Sequence, residues 1–582
     1  MLGRARYYKY GVAFVAGLMP AMAAAAADDY SPVSDERLKN PEPENWLMTR
    51  GNYQGWSYSP LDQINRDNVR NLVPVWAYST GVDSGHEAPP IVNDGVMFIS
   101  TPYNHILALD AKTGDPLWHY QRELPEDFSA LHNTNRGIAL HGDKVYLAAL
   151  DAQLVALDAK TGEVVWEQPV EDYRTGYYMT LAPLIVNGKV LIGVSGGEFG
   201  VRGFVQAFDA ETGDPLWKTH TIPAPGEPGH ETWEGNDWER GGASVWMTGN
   251  YDPEANVTYW GTGNGSPWFG DQRPGDNLWT SSTVAIDPDT GEFKGGFQHH
   301  WNDSWDWDEM NAPMLVDFED NGRTVKGLIK PARNAYLYWL ERTSDGIGFI
   351  DAKEYIEQDV FASIDPETGR PEYQEDKKPG TGKYAEFCPS LWGGKDWPYE
   401  AYNPDTRMVY IPANANHCGA LEGKDQEYIA GQWWTGVDIP DIGFTVDAAA
   451  EHYGELQAWD VNERKEVWKE TFPNTMNWGP VMTTAGNLVF LGGTNDRKFR
   501  AYDAESGDLL WEFKTNSGIM APPSSFAVDG KQYVAVVSGW GVDPAFQQGL
   551  MNELLETDVI VPQGGVVWVF ALPEEQGQGQ QQ

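Results

Sequence analysis

Short apolar runs, each ended by turn residues, make up most of the chain. Residues 96–101 and 105–109 are typical, since each run is about five or six residues long and Asn, Asp, Gly or Pro lies nearby. Few segments show the 3.6-residue spacing of apolar positions that an amphipathic helix needs. Runs of this length between turn signals are typical of β-strands. The pattern therefore predicts an all-β protein.

One turn phrase recurs along the chain. Ala-x-Asp is followed in most copies by Thr-Gly or Ser-Gly and then by Trp. The clear copies are Ala108 to Trp118, Ala156 to Trp166, Ala207 to Trp217, Ala285 to Gly291, Ala458 to Trp468 and Ala501 to Trp511. Asp and Gly suit the tight turn between two strands. The Trp falls at a fixed place on the next strand, where it can pack between adjacent sheets.

The Asp residues of successive clear copies lie 48, 51, 78, 173 and 43 residues apart. The recurring separation of about 40–50 residues is typical of propeller blades with four strands each. Six clear copies and two degenerate ones, at 341–346 and 403–407, predict eight blades. We therefore predict an eight-bladed β-propeller, a superbarrel of four-stranded antiparallel blades. The apolar segment 564–571 could complete a blade begun by the N-terminal part of the chain. A parallel β-solenoid is the less compatible alternative, given a period this long that carries Trp.

The chain ends predict processing and compartment. Residues 1–27 contain Arg4, Arg6 and Lys9, then a short apolar run and an alanine tract, the layout of a cleavable secretory signal. This predicts a periplasmic protein in a Gram-negative host. No other run approaches the roughly 18 apolar residues of a membrane-spanning helix. We expect a single catalytic domain over 28–575, a surface insertion at 350–385 and a disordered tail at 576–582.

Composition excludes several classes of function. The 582 residues include 41 Lys and Arg against 85 Asp and Glu, a formal net charge of −44. Nucleic acid and anionic membranes are poor partners for such a chain because like charges repel. Two cysteines cannot form a four-cysteine zinc site or an iron–sulfur cluster, and no Cys-x-x-Cys-His haem motif occurs. The acidity is compatible with salt adaptation or with attraction of a basic partner.

The repeat resembles the tryptophan-docking motif of quinoprotein alcohol dehydrogenases of the methanol and ethanol dehydrogenase type, which use pyrroloquinoline quinone (PQQ). Related repeats also occur in non-enzymatic propellers of outer-membrane assembly, so the segments between the repeats matter more. Their order matches the family over nearly the whole mature chain. The resemblance implies a periplasmic, eight-bladed enzyme that oxidises an alcohol and passes electrons to a soluble c-type cytochrome. It leaves open whether the protein is a homodimer.

Four segments resemble those that hold the family's metal and reacting groups. Residues 194–203 resemble the segment with a metal-binding Glu, here Glu198, and 261–268 the one with an amide ligand, here Asn264. Residues 304–313 resemble the stretch with the catalytic aspartate, here Asp306. Residues 331–334 resemble the one whose Arg contacts the cofactor's reactive carbonyl, here Arg333.

Further residues are implied as cofactor contacts, pocket walls and a disulfide. The implied cofactor contacts are Glu87, Arg136, Thr180, Ser195, Gly196, Gly197, Trp246, Arg333, Asp396 and Trp478, with Trp246 stacking on the quinone. Trp268 and Trp540 are implied at the substrate pocket. Cys388 and Cys418 resemble the two ends of a family disulfide.

The chemistry explains these residue types. Asp306 would accept the hydroxyl proton as a general base, with Glu198 as the alternative base, and Arg333 would stabilise a developing oxyanion. Asp308 is the fourth implied metal ligand, after Glu198, Asn264 and Asp306, and it helps to distinguish a lanthanide from a calcium ion. Lanthanide-dependent members of the family carry a second Asp two positions after the catalytic one, as here. Three carboxylates neutralise a trivalent ion, so we predict a lanthanide-dependent enzyme.

Alternatives and one departure from the family pattern remain. Asp308 could instead point away from the ion and merely solvate a loop. The protein would then be a calcium enzyme for a larger secondary alcohol or polyol. From another functional class, the alternative is a propeller scaffold for envelope assembly. Family members commonly have two adjacent cysteines beside the quinone, where this chain has Ala130 and Leu131.

Overall fold

The structure, a computed structural model, describes residues 30–344 and 346–574. The predicted signal peptide, 1–27, and the predicted tail, 576–582, lie outside the described residues. Strands dominate the described part and form eight sheets of four or more strands, numbered here in chain order. In every sheet neighbouring strands are antiparallel, apart from one short parallel strand, Tyr58–Ser59, at the edge of sheet 7.

The first four sheets are each built from four consecutive strands. Their strands are Ile91–Asn93, Val96–Thr101, His105–Asp110 and Pro116–Gln121 in sheet 1; Ala139–His141, Lys144–Ala148, Gln153–Asp158 and Val164–Pro169 in sheet 2; Leu184–Val186, Lys189–Gly193, Phe204–Asp209 and Pro215–His220 in sheet 3; and Asn250–Asp252, Val257–Gly261, Ser282–Ile286 and Phe293–Gln298 in sheet 4.

In each of the remaining four sheets, the strands are not all consecutive in the chain. Their strands are Met314–Leu315, Gly327–Pro331, Tyr336–Thr343 and Gly346–Glu354 in sheet 5; Ala401–Asn403, Met408–Asn414, Gly454–Asp460 and Lys465–Phe472 in sheet 6; Met482–Thr484, Leu488–Leu491, Lys498–Asp503 and Leu509–Lys514 in sheet 7; and Ser524–Val528, Lys531–Ser538, Val566–Ala571 and Val73–Ser79 in sheet 8.

Smaller elements lie outside these sheets. Two hairpins pair Phe318–Asp320 with Arg323–Val325 and Phe361–Ile364 with Pro371–Tyr373, and a three-stranded sheet joins Tyr384–Phe387, His417–Glu422 and Gly443–Val446. The two α-helices in the described residues are α1, Asp35–Lys39, and α2, Val542–Leu555. The 3-10 turns there are Val69–Asn71, Pro102–Asn104, Tyr173–Thr175, Gly197–Phe199, His230–Thr232, Asp237–Glu239, Gly270–Gln272, Glu375–Lys377 and Ile439–Asp441. The all-β prediction is confirmed.

The repeated phrase forms the turn between the third and fourth strands of a sheet. In sheet 1, Oδ1 of Asp110 accepts hydrogen bonds from the backbone N–H groups of Lys112 and Thr113. The same capping recurs at Asp158, Asp209, Asp287, Asp460 and Asp503. The turn forms locally because donor and acceptor lie two or three residues apart.

The tryptophan of one sheet packs on the turn glycine of the next. The indole of Trp118 in sheet 1 donates to the carbonyl of Ala159 at 2.9 Å and covers Gly162 of sheet 2. Gly162 has φ +73°, and a Cβ there would collide with the ring. The contact therefore needs glycine both for conformation and for space.

Replacing Trp118 with Ala should lower the free energy of unfolding by about 3–5 kcal/mol, because a buried indole and its hydrogen bond are lost between two sheets. Thermal or denaturant unfolding of the purified variant would measure the loss. Tyr384→Ala is a matched control, since Tyr384 is 57% exposed and should change stability little. Equal losses in the two variants would contradict a role for docking.

Of the two degenerate copies, 341–346 joins the third and fourth strands of sheet 5, as the regular copies do. The copy at 403–407 instead joins the first two strands of sheet 6, where Asn403 caps the turn. A further turn of the same kind, capped by Asp365, lies in the hairpin at 361–373. The predicted insertion at 350–385 thus begins within a strand of sheet 5 and includes this hairpin.

Strands from the N-terminal and C-terminal parts of the chain pair in sheet 8. Val566–Ala571 pairs with Lys531–Ser538 on one side and with Val73–Ser79 on the other. The predicted completion of a blade by the C-terminal strand is therefore confirmed. This pairing joins an N-terminal and a C-terminal segment in one sheet, which favours a closed arrangement.

Two further expectations concern covalent and membrane features. Cys388 and Cys418 form a disulfide, as the family resemblance implied. Among the described residues, none of the helices has the length and apolar character required to cross a bilayer.

Candidate active site

A cavity of about 470 Å³ lies where loops from several sheets meet α2. Its volume is within the range of sites that enclose a cofactor or a small ligand. Most residues predicted for the site line it, namely Arg136, Thr180, Ser195, Gly196, Glu198, Trp246, Trp268, Asp306, Asp308, Arg333 and Asp396. These residues lie in the loops that connect the strands of neighbouring sheets or of one sheet.

Two buried aspartates are held in the loop between sheets 4 and 5. The backbone of Asp306 has φ +63°, a left-handed conformation that Asp adopts more readily than most residues. The side chain of Asp308 accepts a hydrogen bond from the indole of Trp246 at 2.9 Å and another from the backbone N–H of Asn264. Asp308 therefore does not point into solvent but faces the cavity wall.

Three carboxyl groups of this cavity, those of Glu198, Asp306 and Asp308, have raised pKa values. Burial, and then the charge of Asp308, raise the pKa of Glu198 to about 7. Burial and the Asp308 charge also raise the pKa of Asp306 well above its usual value, against the opposing charge of Arg333. Burial raises the pKa of Asp308 too. Full ionisation of the three groups is thus costly unless a cation joins them.

Asn264 lies on the adjoining loop after the second strand of sheet 4. Its side chain is buried, and Oδ1 has no hydrogen-bond partner. A buried acceptor without a partner is unfavourable, so this oxygen is available to a ligand. Gly197, in the 3-10 turn that carries Glu198, lies close to the same oxygen.

Arg333 follows the second strand of sheet 5 and reaches into the cavity. Its guanidinium donates to the backbone carbonyls of Asp306 at 2.9 Å and Leu391 at 3.3 Å, and forms an ion pair with Asp396. The carboxylates of Asp396, Asp308 and Asp306 raise its pKa despite burial. Arg333 is therefore a fixed positive charge beside the aspartates.

A flat aromatic surface and a buried ion pair form another wall. The guanidinium of Arg136 lies 4.6 Å from the ring centroid of Trp246 and donates to Oγ1 of Thr180 at 2.6 Å. Its Nε is 2.8 Å from a carboxylate oxygen of Glu87. Burial raises the pKa of Glu87 to about 7, although Arg136 opposes the shift. Oγ1 of Thr180 also lies 3.2 Å from Oγ of Ser195.

Comparison with known proteins identifies the family. The family profile described as "PQQ: Glucose/ethanol/alcohol dehydrogenase, beta-propeller domain" matches residues 46–354 and 444–534, more than half of the chain. The chain belongs to the PQQ-dependent alcohol dehydrogenase family. It is therefore an oxidoreductase with an all-β propeller fold.

Individual relatives cover nearly all of this PQQ-dependent alcohol dehydrogenase. Quinoprotein alcohol dehydrogenase PedH of Pseudomonas putida is 39% identical over 588 residues, 96% of each chain. Quinoprotein ethanol dehydrogenase of Pseudomonas aeruginosa is 38% identical over 566 residues, 89% of this chain and 88% of its own. Among solved structures, a europium-containing methanol dehydrogenase has 34% identity and a TM-score of 0.85, covering 92% of this chain and 99% of its own.

The residues present fit a cofactor and a metal. The face of Trp246, with Arg136 and Thr180 beside it, suits a planar anionic molecule. In residues 30–344 and 346–574, no three Asp, Glu, His or Cys side chains are already grouped around a single metal position. A cation would therefore have to draw the carboxylates together, and the unpartnered Oδ1 of Asn264 would complete an oxygen donor set of the kind hard cations take.

The raised pKa values predict how the metal-free dehydrogenase responds to pH. Between about 4.5 and 7 the folded state holds protons on Glu198 and Glu87 that the unfolded chain has released, so stability should fall as pH rises through this window. Melting temperatures of metal-free protein at pH 5 and pH 8 would measure the fall. Lanthanide addition should restore stability at pH 8. A melting temperature that rises over this window, or does not respond to the ion, would contradict the prediction.

Two predicted tryptophans do not line the cavity. Trp478 is buried and donates to Gln547 of α2 at 2.7 Å, and Trp540 is buried just before that helix. Both belong to a hydrophobic cluster against which Trp246 packs. Glu87, Gly197 and Asn264 are not among the residues that line the cavity, although each contacts a residue that does or one next to it. Trp268 lines the cavity, with its ring 6.2 Å from that of Trp433.

Sequence analysis did not identify several residues that line the cavity. Asp543 and Phe546 reach the cavity from α2, and the carboxylate of Asp543 lies 3.6 Å from Nε2 of His132. The buried face of α2 consists of Pro544, Gln547, Gln548 and Met551. The spacing of these four residues is that of one face of a helix, and this spacing was the only signal in the sequence. Two of the four residues are Gln, so the face does not appear as an apolar pattern.

The departure from the family pattern falls on the cavity wall. Leu131 lines the cavity, and together with Ala130 it packs against a cluster formed by Leu150, Tyr178 and Phe199. Aliphatic side chains thus occupy the positions where the family pattern has adjacent cysteines. The disulfide in this chain lies elsewhere, at Cys388–Cys418.

Proposed function

We propose that this dehydrogenase acts in the periplasm and oxidises an alcohol to an aldehyde or ketone with PQQ and a lanthanide ion, passing the electrons to a c-type cytochrome. The observation that carries the proposal is the surroundings of Asp308. Its carboxylate is buried beside Asp306 and Glu198 and close to the backbone of Asn264. A solvated loop aspartate would lie on the surface instead.

The metal would be held by Glu198, Asn264, Asp306 and Asp308. Three carboxylates match the charge of a trivalent ion and leave excess negative charge on a divalent one. The raised pKa values of these acids support the proposal, because a nearby cation would offset the cost of ionising them. The similarity to a methanol dehydrogenase that contains europium is a further support.

The cofactor would lie on Trp246. Arg136 and Thr180, with Ser195, Gly196 and Gly197 on the next loop, would contact its polar edge, while Glu87 would keep Arg136 in place. Asp396 would hold Arg333 against the cavity. Direct contacts by Trp478 and a substrate-pocket role for Trp540 stay predictions. Bound PQQ supplies an electrophilic carbonyl carbon that accepts a hydride.

Asp306 would bind the alcohol hydroxyl and accept its proton while hydride leaves the adjacent carbon. Its backbone is anchored by Arg333, whose fixed positive charge would stabilise negative charge that develops on oxygen. Glu198 is the alternative base, since its pKa is also raised. Trp268 and Leu131 on the cavity wall would exclude water from the reacting atoms.

The remaining parts of the proposal concern assembly and partners. The eight sheets would be the eight blades of the propeller, closed by the pairing of Val73–Ser79 with Val566–Ala571 in sheet 8. The predicted signal at 1–27 supports periplasmic export. The net charge of −44 favours a basic cytochrome, and association with it should weaken as ionic strength rises.

Dye-linked oxidation of an alcohol panel by metal-stripped protein tests the proposal. The protein is reconstituted with PQQ and either lanthanum or calcium, and the panel runs from methanol to bulky secondary alcohols. Activity with lanthanum and little with calcium is expected. Activity with calcium alone would support the proposed alcohol oxidation but contradict its dependence on a lanthanide ion. Failure with both ions, without bound PQQ, would reject the proposed reaction.

A further inference from the structure

A fully buried guanidinium lies behind the proposed metal site. Arg273, just after the 3-10 turn Gly270–Gln272, has no exposed surface. Its Nε donates to the carbonyl of Pro267 at 2.8 Å, one terminal nitrogen to Oδ1 of Asn277 at 2.6 Å, and the other to the carbonyl of Trp268 at 2.9 Å. That last nitrogen also donates to the carbonyl of Asp303.

The bond to Asp303 joins two loops that are separated in the chain by the last two strands of sheet 4. Arg273, Pro267 and Trp268 belong to the same loop as Asn264, whereas Asp303 belongs to the loop that carries Asp306 and Asp308. One rigid guanidinium holds both, because its donors point in fixed directions in one plane. No ammonium group could satisfy the same acceptors, since it has three donors around a single point.

The packing around the guanidinium leaves no room for adjustment. Gly265 lies against it, and a Cβ added at Gly265 would overlap the guanidinium carbon. The backbone N–H of Gly270 also donates to Oγ of Ser304 at 2.8 Å, a second link between the same segments. A shift of Arg273 would therefore be transmitted to both loops.

Asp303 connects Arg273 to the turn that presents Asp306. Its carboxylate, buried and 3.2 Å from Nε2 of His300, accepts from the backbone N–H of Asp306 at 3.2 Å. The backbone N–H groups of Trp305 and Trp307 point at the same carboxylate, each at 3.4 Å. The sharp turn that presents Asp306 is thus held from its inner side.

We propose that Arg273 is a positioning residue that fixes the separation of Asn264 from Asp306 and Asp308, and thereby sets the lanthanide affinity of the site. This inference rests on the proposed function, because the metal role of those residues does. Arg273 would contact neither the ion nor the substrate. Groups that orient metal ligands from outside typically change metal affinity by about 10- to 100-fold when they are altered.

Tb³⁺ titration of the full chain with PQQ, read as tryptophan-sensitised luminescence, tests the inference. Arg273→Lys keeps the charge but loses the planar set of donors, so its Tb³⁺ dissociation constant should rise by about 10-fold or more. Gly265→Ala should weaken binding in the same direction by displacing the guanidinium. If Arg273→Lys does not fold, Gly265→Ala provides the test instead.

Arg500→Lys is the matched control. Arg500 is also buried and donates to the side chains of Thr494 and Asp496, but among the described residues it has no bond to either metal loop. Its Tb³⁺ affinity should stay within about twofold of wild type, a change too small to indicate a shifted ligand. Equal weakening in Arg500→Lys and Arg273→Lys, or unchanged affinity in Arg273→Lys and Gly265→Ala, would overturn the inference.

Wild-type behaviour distinguishes this inference from the proposed function. If wild type binds Tb³⁺ and Glu198→Ala abolishes the signal, the metal site stands and only the role of Arg273 is under test. If wild type gives no signal that depends on Glu198, the proposed metal site fails, and the inference fails with it.

Discussion

Asp306→Asn is expected to lower kcat for alcohol oxidation by about 10²–10⁴-fold, the usual contribution of a general base. The amide keeps the size of the carboxylate and one oxygen that can bind a cation, but it cannot accept the hydroxyl proton. The site around it should survive, because Arg333 bonds to the backbone carbonyl and Asp303 to the backbone N–H, and neither contact involves the side chain. Steady-state kinetics of the protein loaded with PQQ and lanthanum would measure the effect.

The pH profile separates the two candidate bases. A base must be ionised to act, so activity should fall as pH drops through the pKa of Asp306, a value that burial and the Asp308 charge raise and that a bound cation would lower. Asp306→Asn should abolish this acidic limb, whereas Glu198→Gln should retain it. The reverse result would make Glu198 the base. Metal content of each variant is the control for loss of the ion.

Asp308→Ala is expected to reverse or abolish the preference for lanthanide over calcium. The change removes one of three carboxylates, so a trivalent ion is no longer neutralised by the protein, while a divalent ion is better matched. Activation of metal-stripped protein by lanthanum and by calcium, each titrated with PQQ present, gives the ratio of apparent affinities. This variant also removes the acceptor of the hydrogen bond that the indole of Trp246 donates to Asp308.

Asp308→Asn controls for that second effect. It keeps an acceptor oxygen for the indole of Trp246 but lacks the charge, and the backbone N–H of Asn264, which bonds to the other carboxylate oxygen, loses its acceptor. If charge decides the choice of ion, Asn and Ala should change the preference alike. An unchanged preference in both variants would remove Asp308 from the metal site and favour a calcium enzyme.

Much of the fold could be predicted because its repeated unit is local. At Asp110 the side chain bonds to backbone groups two and three residues away, so the turn is recorded in a few consecutive letters. The copy at 403–407 was misplaced for the same reason. Its turn chemistry is correct, but a local pattern does not specify which two strands of a sheet it joins.

The candidate site could be predicted only as far as family segments carry its residues. The structure brings eleven of these residues to one cavity, while Trp478 and Trp540 lie in the cluster behind it. The contribution of α2 was missed, because Asp543 reaches the cavity through a helix whose buried face is half glutamine. A polar side chain that is buried by long-range bonds, such as Gln547 with Trp478, leaves no apolar signal in the sequence.

By itself, the sequence determined the all-β character, the turn repeat and the chemical types at the site. Each depends on residues close together in the chain or on the identity of a single residue. Only the tertiary structure decided that Asp308 is buried beside Glu198 and that Arg273 joins the loops of Asn264 and Asp306. Such contacts connect residues from separate loops, and both their distances and the resulting pKa shifts exist only once the sheets have packed together.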